Sequence, residues 1–243
     1  MKKKSFAAIL CAIFVLSTAK AGEDSWKIES AGEFPGGTVA YTGDVTVTES
    51  PVGKTFDFSR NKTIGFVSVT GRKFNPDKVC FSFWLSPVSW TPKDGKFHLF
   101  VFGKAADGNG EFNLYRYGNP DMNSDGLGMA FLQTDKTLSP PGLVALNLPN
   151  RKIGNDWREK SWHYFCFISN NNQLSLYIDG ELVGMNNARF AMGNAPEFRF
   201  GPSWGEFAHT RIAALRITAE IPDETMIAAE YDRVMSLLAK EKK

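Results

Sequence analysis

The sequence predicts an all-β fold, an antiparallel sandwich or barrel with one helix at its C-terminal end. Three observations carry that reading. Roughly a dozen short β-type runs separated by turn signals occupy residues 38–218. No helical pattern of ten residues or more is interleaved with them, which argues against a parallel α/β sheet. The chain is also rich in large aromatics, with 20 Phe, 6 Trp and 6 Tyr, side chains that suit a half-buried pleated surface.

The elements follow in order. Lys2, Lys3 and Lys4 precede an apolar run from Phe6 to Leu16, and Ala19-Lys20-Ala21 has the small-x-small form of a cleavage site. Residues 1–21 therefore read as a secretory signal peptide, too short in its apolar part for a bilayer span, with Gly22 the first mature residue. Strands are predicted at 38–41, 45–48, 55–58, 64–69, 79–85, 97–102, 112–117, 127–133, 162–169, 173–178, 182–185, 198–200 and 212–218. Asp179-Gly180, Asn170-Asn171-Asn172 and Asp107-Gly108-Asn109-Gly110 lie between such runs, and tight primed turns need the positive φ these residues tolerate. The stretch 139–155 opens on Pro140-Pro141 and reads as a long irregular connection. Beyond Pro222, acidic Asp223 and Glu224 start a helix and Lys240, Lys242 and Lys243 end it, matching its dipole. Ile227, Tyr231, Val234 and Leu238 form one apolar stripe, so the helix is expected to dock on the sandwich. The division is thus 1–21 leader, 22–220 sandwich and 221–243 docked helix.

Without the leader's four lysines, 24 Lys+Arg face 26 Asp+Glu, a net charge of −2. Such a balanced surface carries no electrostatic footprint for nucleic acid. Two cysteines remain, Cys80 and Cys166, each in an aromatic run; they are compatible with a disulfide or with two buried thiols. Asn61-Lys62-Thr63 is a glycosylation acceptor in a source that glycosylates.

Trp162-His163-Tyr164-Phe165-Cys166, followed by Leu174-Ser175-Leu176-Tyr177-Ile178-Asp179-Gly180, resembles a recognisable hairpin of the laminin-G-like, concanavalin A-like superfamily. Phe81-Ser82-Phe83-Trp84-Leu85 resembles its earlier core strand, and Lys54-Thr55-Phe56-Asp57-Phe58 its opening strand. Arg211-Ile212-Ala213-Ala214-Leu215-Arg216-Ile217, with the helix after it, resembles its closing pair. The resemblance spans most of residues 54–232 in the expected order. It implies a two-sheet jelly-roll and little chemistry, because function on such a scaffold lives in loops and on the curved sheet. The closing strand of that family usually carries Asp-Glu where this chain has Ala213 and Ala214.

Glycosidases of this architecture carry Glu-x-Asp-x-Glu on one strand, which alternation places on one face. The chain has no such run and no His-Glu-x-x-His; Asp107-x-Asn109-x-Glu111 spans a turn, and the chain is expected not to be an enzyme. Asp121, Asn123 and Asp125 before Gly126 have the alternating oxygens of a calcium loop, without its twelfth-position Glu or flanking helices. The same residues are ordinary turn formers. Sugar binding asks for aromatic faces beside planar polar groups. Tyr115-Arg116-Tyr117-Gly118-Asn119 and the loop residue Trp204 have that composition, with the two tyrosines on one face and Arg116 on the other. Trp90 and Trp157 also stand in turn-rich contexts, whereas Trp84 and Trp162 read as core. The expected function is therefore a non-catalytic glycan-binding module acting outside the cytoplasm, secreted, periplasmic or at the cell surface. It would need no obligatory cofactor, with Ca2+ the one candidate. An extracellular protein-interaction or adhesion module and a diverged glycosidase or lyase are the alternatives.

Overall fold

The computed structural model describes residues 25–34, 37–61, 64–71, 73–88, 97–118, 127–136, 142–148, 161–192, 196–203 and 209–241. Residues 1–21, read from the sequence as a leader, lie outside them. The strands are β1 Ser25–Lys27, β2 Gly32–Phe34, β3 Gly37–Thr42, β4 Thr46–Ser50, β5 Gly53–Asp57, β6 Phe66–Thr70, β7 Lys78–Pro87 and β8 Phe97–Lys104. They continue as β9 Gly110–Gly118, β10 Leu127–Asp135, β11 Gly142–Leu148, β12 His163–Asn170, β13 Gln173–Ile178, β14 Glu181–Asn186, β15 Glu197–Phe200 and β16 Thr210–Thr218. Helix α1 spans Glu224–Glu241.

All pairings are antiparallel and build two sheets. The first runs β14-β13-β12-β7-β16-β5-β4, with β1 also on β16; the second runs β11-β10-β9-β8-β15-β6-β3-β2. The fold is the expected two-sheet jelly-roll. Its core lies between the sheets. From the first come Phe56, Phe81, Phe83, Phe165, Phe167 and Ile212; from the second come Val67, Val69, Phe112, Leu114, Phe198 and Phe200.

Alternation sends the other residues of the central strands to the opposite face. There Cys80, Trp84, Tyr164, Cys166, Ile168, Tyr177 and Ala213 form a second apolar layer. Helix α1 covers it with Ile227 and Val234, flanked by Tyr231 and Leu238, the stripe read from sequence. Trp84 is thus buried under the helix, stacked 6.0 Å from Tyr231, and Trp162 packs beside it. Because β7 and β12 are covered on both faces, they read as unbroken apolar runs. Asp223 caps the helix: its Oδ1 accepts from the Met226 N–H at 2.8 Å. Pro222 lies just outside it.

The turns behave as their residues require. Asn171 and Asn172 (φ 48° and 62°) join β12 to β13, and Asp179 and Gly180 (φ 54° and 85°) join β13 to β14. Asp179 does more than turn the chain. Its Oδ2 lies 2.8 Å from His163 Nδ1 and its Oδ1 accepts the Tyr164 N–H at 2.9 Å, while Ser161 Oγ lies 3.0 Å from His163 Nε2. The Trp-His and Asp-Gly ends of the familiar hairpin therefore tie to one another.

One expectation fails. Within the stretch read as irregular, Gly142–Leu148 forms β11 and pairs with β10 from Asp135–Gly142 through Met129–Leu148. The two prolines precede the strand in sequence, so they interrupt none of these ladder bonds.

At the family's Asp-Glu positions, Ala213 and Ala214 sit in a bulge of β16, in the layer beneath the helix. Ala214 has φ 50°, a conformation costing a non-glycine residue about 1–2 kcal/mol. Ala214→Gly relieves that strain but loses a methyl packed near Gly53 and gains unfolded-state entropy. The expected net is a stabilisation of about 0.5 kcal/mol, read by urea titration. Destabilisation of that size would mean the methyl contact outweighs the strain.

Candidate functional site

The first sheet is covered on both sides, so the face of the second sheet that points away from the core is the surface to examine. Four strands, β6, β15, β8 and β9, place planar and aromatic groups there. In register, Ser68 of β6 faces Arg199 of β15, Arg199 faces Phe102 of β8, and Phe102 faces Asn113 of β9. One step along the sheet, Glu197 faces Lys104 and Lys104 faces Glu111. These are the residues alternate to the buried Val67, Val69, Phe198 and Phe112, which is why they share the outer face.

Arg199 is the centre of the group. Its Nε and Nη2 donate to the two Glu197 carboxylate oxygens at 2.6 and 3.0 Å. The guanidinium carbon lies 5.0 Å from the centroid of the Phe66 ring and 5.5 Å from that of Phe102. The side chain is held flat by a forked ion pair and two ring faces, yet remains 31% exposed, with Glu197 30% exposed. Two of its five N–H donors are used by Glu197, and among the described residues no other group takes the remaining three. Beside Phe102, the buried Asn113 Oδ1 accepts no hydrogen bond from the described residues. Glu111 is engaged at the far edge by Lys136 Nζ at 3.0 Å.

The residues chosen from sequence divide. Tyr115 is on this outer face, opposite Leu99 and Ala130, and is half-buried; burial pushes its hydroxyl up from the ordinary phenol range. Arg116 turns the other way with Phe112 and Leu114 and is 0% exposed, opposite the buried His98. Its guanidinium therefore belongs to the interior and is not a polar partner for ligands on the tyrosine face. The backbone of Tyr117 pairs with Phe97 and Gly128. Its side chain lies outside the described residues, as do Asn119, Asp121, Asn123, Asp125, Trp204, Trp90 and Trp157. Sequence reading missed Phe66, Phe102, Asn113, Glu197 and Arg199. The alternation of Glu197-Phe198-Arg199-Phe200 was a signal for the last pair, placing two charged residues together on one face of a strand.

Two chemical patterns need an account. Asp107-x-Asn109-x-Glu111 is a hairpin end, where Asp107 Oδ1 accepts the Asn109 N–H at 2.9 Å and only Glu111 reaches the strand. The chain was expected to hold no Gly-x-Ser-x-Gly, yet Gly201-Pro202-Ser203-Trp204-Gly205 spells it. In hydrolases that motif is a sharp strand-to-helix turn exposing its serine. Here it follows β15, the next described element is strand β16, and Ser203 is buried. Among the described residues, neither observation matches the context of a nucleophile. Among the described residues, no group of three or more His, Cys, Asp or Glu could hold a metal ion. Nor is any described helix long and apolar enough to cross a membrane.

Comparison with solved structures finds the same architecture in toxin binding domains. The binding domain of botulinum neurotoxin DC in complex with rat synaptotagmin II superposes with a TM-score of 0.59 at 15% identity, over 82% of this chain and 47% of the other. The same domain in complex with SialylT gives 0.58 at 15%, over 82% and 46%. A structure of botulinum neurotoxin type C, whose cell entry is described as dependent on two ganglioside molecules, gives the same values. This chain thus spans about half the length of those domains, and at such identity the likeness is one of fold. No curated protein matches the sequence. The family profile of the concanavalin A-like lectin/glucanases superfamily matches residues 61–221. Sheet order, hairpin and profile agree, and the chain belongs to the concanavalin A-like lectin/glucanases superfamily.

Proposed function

We propose that the protein is a secreted, non-catalytic carbohydrate-binding module whose ligand lies across the outer face of the second sheet. The observation that carries this reading is the row Arg199-Phe102-Asn113, extended by Tyr115. It sets a ring for stacking on sugar CH groups beside a part-exposed guanidinium, three of whose donors no described residue takes, and beside the Asn113 amide. The superposed toxin domains, described with SialylT and with gangliosides, lend it weight at the level of the fold. Tyr117 and Trp204, read from the sequence as stacking groups, and Asn119 and Asp121, read as polar ones, lie outside the described residues and enter the proposal from the sequence alone. The module acts at the cell surface, in the periplasm or in the medium after loss of residues 1–21.

Catalysis is not part of the proposal. Glu197 and Glu111 face the same surface from strands that β8 sets about 9–10 Å apart, beyond the roughly 5–5.5 Å of a retaining carboxylate pair and at the upper edge of the roughly 6.5–9.5 Å of an inverting one. Each is also occupied by a cation. Product release from a polysaccharide panel would overturn this part of the reading.

The test is a glycan array followed by titration of the best hit. Phe102→Ala and Asn113→Ala are each expected to weaken binding at least tenfold, about 1.4 kcal/mol, while the unfolding midpoint stays near that of the parent. Affinities within twofold of the parent for both variants would move the site off this sheet. A hit lost in chelator would assign calcium to the Asp121, Asn123 and Asp125 loop; an unchanged hit would remove the metal from the proposal. Binding to an extracellular partner that survives removal of its glycans would replace the lectin reading by protein adhesion.

A further inference from the structure

We infer that Cys80 and Cys166 form a disulfide across the first sheet, beneath helix α1, when the chain folds in the presence of a disulfide oxidant. The two residues lie on neighbouring antiparallel strands, β7 and β12. Cys166 faces Ser82 and Cys80 faces Ile168, so the cysteines are diagonal neighbours on the same face. Their Sγ atoms are 3.5 Å apart, both as free thiols. A disulfide of about 2.0 Å requires the sulfurs to approach by about 1.5 Å, which at a diagonal position takes a local drawing-together of the two strands as well as side-chain rotation.

The surroundings say when the bond forms. Both thiols are buried in the layer that Ile227 and Val234 of the helix cover. The neighbouring Cys80 thiol, together with burial, pushes the Cys166 thiol well above the ordinary range. The native thiol is thus a poor nucleophile behind a closed helix, and exchange belongs to the folding chain or to a state in which α1 has lifted. The chemistry is thiol–disulfide exchange. One cysteine thiolate attacks a small or protein disulfide and expels one thiol; the second attacks the mixed disulfide and expels the other. Two cysteines are oxidised, the oxidant is reduced to two thiols, and the cysteine protons end on them. The bond spans 86 positions of the chain, so it removes much unfolded-state freedom.

The full chain, unfolded and refolded in glutathione buffer with excess oxidised glutathione, is blocked with N-ethylmaleimide and digested. The expected product joins the Cys80 and Cys166 peptides, both unlabelled. Adding a phosphine reductant is expected to lower the melting temperature by about 5–15 °C. The Cys80→Ser, Cys166→Ser double variant should melt at one temperature with and without reductant; if that variant does not fold, the parent's shift on reduction is the measurement. Singly labelled Cys80 and Cys166 peptides from folded protein would overturn the inference, as would a bond from either to Cys11. A linked pair with no shift on reduction would overturn its stabilising role.

Discussion

Phe81→Ala is expected to cost about 3–5 kcal/mol, lowering the melting temperature by roughly 6–20 °C. The ring is where the two sheets meet. It stacks on Phe167 of the same sheet at 5.5 Å and on Phe112 of the other at 6.1 Å, and it meets Phe198 edge-on at 4.7 Å. Phe190 closes the cluster at 6.0 Å. Removing the ring forfeits its transfer free energy and leaves a cavity that four rigid neighbours cannot collapse to fill. It also breaks aromatic pairs worth about 0.5–1.5 kcal/mol each beyond their area. Phe81→Leu keeps most of the volume and should cost markedly less. Guanidinium titration checks both. A loss below about 1 kcal/mol for Phe81→Ala would mean that the sheets can close over the gap.

The second large effect is expected at Asn61. Its side chain is only 5% exposed and works as an internal bracket. Oδ1 accepts the Asp44 N–H at 2.7 Å, and Nδ2 donates to the Asp44 and Phe58 carbonyls at 2.9 and 3.2 Å. Gly43 and Gly65 crowd the amide so closely that a Cβ at Gly65 would lie 2.2 Å from Nδ2. Asn61→Ala removes all three side-chain bonds, each worth about 0.5–1.5 kcal/mol, while the Phe58 carbonyl keeps the Asn61 backbone N–H at 3.2 Å. An expected loss of about 2–4 kcal/mol, or roughly 4–15 °C in melting temperature, follows. The same burial removes Asn61 as a glycosylation site in the folded protein, although its sequon is intact. A stability change under 0.5 kcal/mol would show that water replaces the amide.

Much of the fold was legible because its signals are local. The alternation of Phe81, Phe83 and Leu85 with Cys80, Ser82 and Trp84 is a property of consecutive residues. So is the positive φ that Asn171-Asn172 and Asp179-Gly180 accept, and so is the spacing of Ile227, Tyr231, Val234 and Leu238 along α1. Strand β11 escaped because Pro140-Pro141 argued locally against a ladder that begins only after them.

The candidate site was far less legible. Tyr115 and Arg116 lie on opposite faces, as alternation requires, but alternation does not say which face is interior. That was decided when β9 packed Phe112 and Leu114 inward and carried Arg116 with them. The grouping of Arg199 between Phe66 and Phe102 depends on β15 inserting between β6 and β8, strands formed by residues far apart in the chain. The sequence by itself therefore determined most of the strands, the turns, the helix stripe and the family to which they belong. Strand order and register, which are non-local hydrogen-bonding choices, decided which side chains share a surface, which polar groups are buried, and that Cys80 and Cys166 meet beneath the helix.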